Sequence, residues 1–191
     1  FLERFQYEIT RSQREKLPLS VVLFDIDHFN SINDQYGHNN GDAAIVAIAE
    51  VLKSCLRHND VLCRLGGDEF LVILEGCTLE QAEVFWERVE KALRKKNRER
   101  LENMILSLSR GMAELNPQAP VSVETLVHTA DQRMYELLIH GYHMEVAQTD
   151  DLMPLCERTN KLSGYREAGI APLADQILDR FSNRLNTMVA G

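Results

Sequence analysis

The chain has 191 residues, and its content of 45% hydrophobic and 26% charged residues is that of a globular protein. Because domains usually contain about 100–200 residues, this length predicts one domain with an appendage. The formal net charge of −8 argues against binding to nucleic-acid polymers, which generally requires a basic surface. A single nucleotide is compatible with this charge, provided that a cation lies between the two negative partners.

The sequence contains neither an apparent membrane span nor a secretion signal. The longest apolar stretches, residues 21–24 and 43–49, are far shorter than the roughly 18 residues that indicate a membrane span. The chain opens on Phe1 instead of Met, so we expect a cytoplasmic piece of a longer protein whose upstream sensor or membrane anchor lies outside this sequence. The cysteines form no C-x-x-C pair and fit neither a zinc site nor a disulfide framework, which predicts reduced thiols.

Hydrophobic periodicity in the first part of the chain predicts a helix, a strand and two further helices. The first helix covers residues 1–16, leads in from the upstream region and ends before Pro18. An apolar, β-branched run at residues 20–25 has the character of a buried central strand. A short helix then ends at Gly37, and a longer helix begins at Gly41.

The second part of the chain predicts a hairpin, a helix, a strand and a last helix. These elements are placed at residues 60–65, 69–74, 78–97, 104–115 and 122–139. Gly66 and Gly67 separate the hairpin strands, as primed turns require. Thr78 and Gln81 have the spacing of a capping box, and Gly141 is expected to end the last helix. A central hairpin excludes a purely parallel sheet and predicts a mixed, largely antiparallel α/β sandwich.

Residues 148–191 differ in character from the preceding 147 and are predicted to lie outside the main domain. Residues 148–169 are polar and rich in turn formers, which predicts a linker. After Pro172, apolar side chains recur with helical spacing and predict an amphipathic helix. Its apolar face would consist of Leu173, Ile177, Leu178, Phe181, Leu185 and Met188.

Two pairs of carboxylates occur at the ends of predicted strands. Asp25 and Asp27 leave the first strand, and Asp68 and Glu69 occupy the hairpin tip. Because side chains alternate along extended backbone, Asp25 and Asp27 are expected to share a face while Ile26 packs inward. If the strands are neighbours, three or four carboxyl groups converge. Mg²⁺ accepts hard oxygen ligands at such a density, together with phosphate oxygens and water.

Each of these features also has a simpler interpretation when it is taken alone. Asp27 is suited to be a helix N-cap. Gly66 and Gly67 are suited to a tight turn, and Asp68 with Glu69 to a solvated loop tip. The combination of all of them in one small sheet favours a functional site over these separate interpretations.

Residues 64–70, Arg-Leu-Gly-Gly-Asp-Glu-Phe, contain the five-residue signature after which the GGDEF family is named. Three further blocks resemble the same family in the right order and spacing. They are Phe24-Asp25-Ile26-Asp27-His28-Phe29, then Asn33-Asp34 with Tyr36-Gly37-His38 and Gly41-Asp42, and finally Ala130-Asp131-x-x-Met134-Tyr135. The resemblance covers about residues 1–147, which is the domain that we predict.

The resemblance implies a palm-like α/β fold, the nucleotidyl cyclase fold, and a diguanylate cyclase activity. In that reaction two GTP molecules condense into cyclic di-GMP and two pyrophosphates are released. Each domain holds one GTP, so the phosphodiester can close only when two domains face each other, and a homodimer is required. Cyclic di-GMP is then both the product and an inhibitor.

The resemblance also assigns roles to individual residues. Asp25, the backbone carbonyl of Ile26 and Asp68 would hold Mg²⁺ or Mn²⁺, and Asp68 and Glu69 would be the catalytic carboxylates. Asn33 and Asp42 match the positions that read guanine, and an amide with a carboxylate can indeed pair with its donors and its O6 acceptor. Phe29, Gly66 and Gly67 are the remaining residues that we expect to contact substrate, since glycines permit close backbone approach.

Arg57 and Asp60 form an R-x-x-D unit that ends just before the glycines. In the family this unit binds the product and inhibits the enzyme, because a guanidinium can stack on guanine and a carboxylate can accept from its edge. The simpler interpretation is a surface salt bridge. A basic run at residues 91–100 either supplies a second arginine to the same ligand or forms a solvated helix end.

Four positions depart from the family pattern. Asn30, Leu138 and Tyr142 stand where the family commonly has basic residues near phosphate, and Arg110 stands where it tends to be aliphatic. Loss of cationic phosphate contacts would weaken GTP binding, and His140 or His143 would compensate only in part. Two hypotheses follow: an active diguanylate cyclase, or a non-catalytic module that binds GTP or cyclic di-GMP and signals through its conformation.

Overall fold

The computed structural model describes residues 1–99, 104–119 and 121–145. Within these residues, the elements follow the predicted order α-β-α-α-β-β-α-β-α. They are α1 (Leu2–Glu15), β1 (Leu19–Ile26), α2 (Phe29–Tyr36), α3 (His38–Cys55), β2 (Val61–Gly66), β3 (Glu69–Glu75), α4 (Leu79–Glu99), β4 (Leu108–Leu115) and α5 (Val123–Glu145). The linker and amphipathic helix predicted for residues 148–191 lie outside the described residues, and so does Cys156.

Three predicted boundaries were wrong. Helix α3 begins at His38 instead of Gly41, because Gly37, at φ 83°, already makes the turn and its carbonyl accepts from the Gly41 amide. Strand β4 begins at Leu108 instead of residue 104. The backbone amide of Leu106 donates to the side-chain oxygen of Asn97 at 3.0 Å, and the side-chain nitrogen of Asn97 donates to the carbonyl of Leu106 at 2.7 Å, so Leu106 does not pair with β1. Helix α5 continues past Gly141 to Glu145.

The described strands form one antiparallel sheet in the order β2-β3-β1-β4. Strand β1 pairs with β3 on one side and β4 on the other, and all of its residues are buried. This confirms the prediction of a buried central strand and of an α/β fold with a largely antiparallel sheet. It also means that whatever follows the end of β1 lies between the ends of two neighbouring strands.

Each face of the sheet carries its own hydrophobic core, because successive side chains of β1 point to opposite sides. Val21 and Leu23 pack with residues of α1 and α5. Val22, Phe24 and Ile26 pack with residues of α3 and α4. The described residues therefore form three layers, in which the sheet lies between α1 and α5 on one face and α2, α3 and α4 on the other.

Helix α1 is held to the sheet by apolar contacts and by a group of ion pairs. Phe5 and Ile9 belong to the core on the α5 side. The buried Glu8 pairs with Arg4 at 2.5 Å, and Arg11 contacts Glu75 at the end of β3. The helix ends before Pro18, as the sequence predicted. Its C-cap residue, Lys16, has the left-handed conformation.

The cysteines of the described region are reduced thiols. Cys55, Cys63 and Cys77 are unpaired, and burial raises the pKa of the thiols of Cys63 and Cys77. Across residues 1–99, 104–119 and 121–145, we find no helix with the length and apolar character that a membrane crossing demands.

Gly111 sets the distance between β4 and α5. A Cβ atom at this position would lie only 2.6 Å from the Cβ atom of Met134 and would also overlap the backbone carbonyl of Ala130. The helix backbone therefore packs directly against the strand. This close approach places the Ala130–Tyr135 block of α5 beside β4.

We expect Gly111→Ala to lower the free energy of unfolding by about 3 kcal/mol, because the new methyl group meets backbone atoms that cannot rotate away. The measurement is urea denaturation followed by circular dichroism. Gly76→Ala is the matched control: its φ is 59° and it has open space around it, so only the left-handed backbone is strained, at about 1 kcal/mol. Equal losses in the two variants would contradict this packing.

Candidate active site

The pairing of β1 with β3 brings the two predicted carboxylate pairs together. Asp25 is the cross-strand partner of Glu69, so their side chains leave the same face of the sheet. The backbone amide of Ile26 donates to the carbonyl of Asp68 at 3.3 Å. Asp25, Asp68 and Glu69 are all at least nine-tenths buried, at 9%, 2% and 4% exposure. The sequence prediction that these segments meet is confirmed, because they adjoin at one end of the sheet.

The hairpin tip between β2 and β3 is a tight turn held by an arginine. Gly67 has a φ of 49°, a conformation that favours glycine. The Nε of Arg64 donates to the carbonyl of Gly67 at 2.9 Å. The strand register shifts between Arg64 and Gly66, which forms a bulge next to Glu69. The turn therefore fixes where Asp68 enters the site.

Asp27 plays neither of the roles that the sequence suggested for it. The N-cap of α2 is His28, and no side chain caps this helix. The carboxylate of Asp27 instead accepts a hydrogen bond of 2.5 Å from the hydroxyl of Ser109 in β4. Among the described residues, no group of three or more His, Cys, Asp or Glu side chains is arranged to hold a metal. The expected convergence of three or four carboxyl groups was therefore wrong, because Asp27 is directed to β4.

Asn33 and Asp42, the predicted guanine-reading residues, lie close together where α2 meets α3. Asn33 is in α2, and its carboxamide lies against Gly41 so closely that a Cβ atom on Gly41 would overlap it. The ring of Phe29 lies on the same side, with its Cζ 3.4 Å from that position. Asp42 follows Gly41 directly and is exposed. The missing side chain of Gly41 thus creates the space that the Asn33 carboxamide occupies.

Arg57 and Asp60 form a preorganised turn before β2. The carboxylate of Asp60 accepts from the backbone amide of Arg57 at 2.7 Å, and the backbone amide of Asp60 donates to the Arg57 carbonyl at 3.2 Å. The Arg57 side chain is exposed. The Asp60 carboxylate therefore holds the turn itself, in place of the surface salt bridge that was the simpler interpretation.

A second arginine, Arg88 of α4, was not predicted from the sequence. Burial raises the pKa of the Cys77 thiol, and the charges of Arg57 and Arg88 both act to lower it. The guanidinium of Arg88 also lies over the ring of Phe85, at 5.8 Å from its centre. In the sequence, the spacing of three residues between Phe85 and Arg88 indicates only that the two side chains are neighbours on one face of the helix.

The basic run at residues 91–100, which we considered as the source of a second arginine, consists largely of paired charges where it is described. Arg94 pairs with Glu90, Lys95 with Glu99, and Lys96 with Glu50. This agrees with the alternative interpretation of a solvated helix end.

Two of the positions that depart from the family pattern are described by the structure. Asn30 is exposed in the first turn of α2. Arg110 lies opposite Phe24 in the sheet; its guanidinium makes two hydrogen bonds with Glu83 of α4, at 3.2 and 2.7 Å, and lies 5.0 Å from the centre of the Trp86 ring. Arg110 thus ties β4 to α4. Leu138 and Tyr142 belong to α5, but their side chains lie outside the described part of the chain.

Comparison with known proteins gives consistent results. The family model described as "Diguanylate cyclase, GGDEF domain" matches residues 1–143. The probable diguanylate cyclase DgcC of Escherichia coli K12 is 40% identical over 129 residues, which are 68% of this chain and 34% of DgcC. The active GGEEF domain of a diguanylate cyclase from Vibrio cholerae aligns with a TM-score of 0.65 and 28% identity, over 73% of this chain and 88% of that one.

A further solved structure concerns a microbial GGDEF domain and its interaction with cyclic di-GMP. It aligns with a TM-score of 0.58 and 29% identity, over 71% of this chain and 80% of that chain. The chain spans about a third of the length of the curated relatives it matches: 34% of DgcC and 36% of diguanylate cyclase A of Treponema denticola. The family model nevertheless covers most of the chain, and it does so over the sheet, the hairpin tip and the α2–α3 region. This chain belongs to the GGDEF-domain family of diguanylate cyclases.

Proposed function

We propose that the chain condenses two GTP molecules into cyclic di-GMP with release of two pyrophosphates, in a metal-dependent reaction between the domains of a homodimer. The observation that carries the proposal is the pairing of Asp25 with Glu69, together with the hydrogen bond from Ile26 to Asp68. These contacts place Asp25 beside Glu69, and the backbone of Ile26 beside that of Asp68, at the end of the central strand that leads into the helix carrying Asn33.

The donor set at this place is suited to Mg²⁺ or Mn²⁺. Asp25, Asp68 and the backbone carbonyl of Ile26 offer hard oxygen ligands from two adjoining segments. Mg²⁺ commonly takes one or two carboxylates and completes its coordination with water and substrate phosphates, which fits a site without a larger carboxylate cage. When bound, the metal would lower the pKa of the attacking ribose 3′-hydroxyl and offset negative charge on the departing pyrophosphate.

The remaining residues of the site serve to bind and orient the nucleotide. Asn33 and Asp42 would pair with the edge of guanine and reject adenine. Gly67 leaves open space at the hairpin tip, so backbone there can approach the nucleotide. Each domain would hold one GTP, and the second domain of the dimer would present the nucleotide that attacks, which makes a bimolecular step effectively intramolecular.

The direct test is incubation of the protein with GTP and Mg²⁺ or Mn²⁺, followed by detection of pyrophosphate and cyclic di-GMP by chromatography. Asp68→Asn keeps the size of the side chain and removes its charge, so we expect kcat to fall about 100-fold or more. Asp34→Asn, an exposed position of α2, is the control and should retain full activity. Absence of product at high protein concentration with the dimer present would overturn the cyclase proposal.

The alternative function is a non-catalytic module that binds GTP or cyclic di-GMP. It is favoured by Asn30, Leu138 and Tyr142, which stand where the family commonly has basic residues near phosphate. Isothermal titration calorimetry together with a pyrophosphate assay separates the two functions. The module binds GTP or cyclic di-GMP and releases no pyrophosphate, whereas the cyclase consumes GTP during the titration and releases pyrophosphate.

Gly41→Ala tests the guanine-reading pair. Alanine is the better helix former by about 1 kcal/mol, so we expect unchanged or higher thermal stability. The new methyl group displaces the Asn33 carboxamide, so the Kd for GTP should rise about tenfold. The readouts are melting temperature and calorimetry with a GTP analogue.

A double-mutant cycle provides the control for this prediction. In an Asn33→Ala background there is no carboxamide to displace, so Gly41→Ala should add little to the Kd. Additive losses in the double variant would show that Gly41 acts by another route.

The preorganised turn at Arg57 and Asp60 supports a product-binding inhibitory site. The charges of Arg57 and Arg88 both act on the Cys77 thiol, and guanidinium groups can contact the guanine bases and phosphates of cyclic di-GMP. We expect Arg57→Ala or Arg88→Ala to raise the inhibition constant for cyclic di-GMP about tenfold without loss of kcat.

Arg94→Ala is the matched control for this prediction, since it lies on the same helix and pairs with Glu90. The measurement is the initial rate of pyrophosphate release at increasing concentrations of added cyclic di-GMP. Product sensitivity that is the same in the wild type and in both arginine variants would remove the inhibitory-site proposal.

A further inference from the structure

The turn that joins β1 to α2, formed by Asp27 and His28, links the two halves of the candidate site. Asp25 and Ile26 precede it, and α2 with Phe29 and Asn33 follows it. His28 has a φ of 56° and is a non-glycine residue in the left-handed region. Such a conformation persists only where surrounding contacts impose it. The contacts that hold this turn therefore control how the two halves are placed.

Two hydrogen bonds connect this turn to Ser109 of β4 and to Ser107, the residue just before β4. The backbone amide of Asp27 donates to the carbonyl of Ser107 at 3.1 Å. The hydroxyl of Ser109 donates to Oδ1 of Asp27 at 2.5 Å. The first bond uses only backbone atoms, so the identity of residue 107 is unimportant to it. The second depends on the hydroxyl of Ser109.

Ser109 also lies directly beside the carboxylate pair. It is the cross-strand partner of Asp25 on the β4 side, just as Glu69 is on the β3 side. One residue of β4 therefore adjoins Asp25 through the sheet and Asp27 through its side chain. Because hydrogen bonds to charged groups are stronger than neutral ones, this contact is well suited to fix the turn.

We propose that Ser109 is a positioning residue: its hydroxyl holds Asp27 and thereby fixes the turn between Asp25 and Asn33. The inference rests on the proposed function, because the geometry that it fixes is that of the cyclase site. Ser109 itself does not contact substrate. Asp27 acts through the backbone of the turn.

This role differs in its consequences from a contribution to stability alone. Ser109→Ala leaves Asn33 and Asp42 together, because Asn33 packs against Gly41, so GTP still binds through its base. It loosens the turn, so the phosphates lose their alignment with Asp25 and Asp68. We therefore expect kcat to fall about tenfold while KM changes less than about threefold. A purely structural residue would lower the melting temperature and leave the kcat of the folded protein unchanged.

Two matched variants accompany Ser109→Ala in steady-state kinetics. Ser109→Thr keeps the hydroxyl and should retain the wild-type kcat. Ser107→Ala removes a neighbouring hydroxyl but keeps the carbonyl that accepts from Asp27, and should also behave as wild type. An unchanged kcat in Ser109→Ala, or equal losses in Ser109→Ala and Ser109→Thr, would overturn the proposal while the cyclase function stood.

A second measurement does not depend on turnover. Hydrogen–deuterium exchange should be faster over residues 27–32 in Ser109→Ala than in the wild type, with no change over the hairpin residues 61–75. If the wild type makes no cyclic di-GMP, the proposed function fails, and this exchange still decides whether Ser109 holds the turn. Identical exchange over residues 27–32 in the two proteins would overturn the positioning role.

Discussion

The antiparallel pairing of β1 with β3 is the constraint on which the candidate site depends. It sets Asp25 opposite Glu69 and lets the Ile26 amide reach the Asp68 carbonyl. A cation bound among neighbouring carboxylates offsets their mutual repulsion. The apolar cores on the two faces of the sheet hold the strands in register, because a slip by one residue would move every buried side chain to the opposite face. The hydrophobic core thus maintains the register that sets Asp25 opposite Glu69.

The order of the elements and the meeting of the two acidic segments were predictable from the sequence. The apolar run before Asp25 indicates a buried strand, and the glycines before Asp68 indicate a tight turn. Such local preferences usually agree with the final fold of a natural protein. The late start of β4 depends on a contact made outside the strand. The side chain of Asn97, in the preceding helix α4, hydrogen-bonds to both backbone groups of Leu106. No pattern within residues 104–108 indicates that partner.

The roles of Asp27, Arg88 and Arg110 were not predictable for the same reason. Asp27 has the position of a helix cap, but its partner is Ser109, 82 residues further along the chain. The charge of Arg88 acts on the Cys77 thiol only because α4 packs on the face of the sheet whose core also contains Cys77. Arg110 departs from an aliphatic pattern, and it is accommodated by Glu83 and Trp86 of α4. In each case the sequence shows the residue, and only the fold shows its partner.

The most direct measurement of the central claim is a crystal structure with Mn²⁺ and a GTP analogue that cannot be cleaved. Anomalous scattering would locate the metal independently of the nucleotide. The account predicts a peak bound by the carboxylates of Asp25 and Asp68 and by the carbonyl of Ile26, with the guanine beside Asn33. A bound nucleotide whose metal lies elsewhere, or which binds without any metal near Asp25, would contradict it.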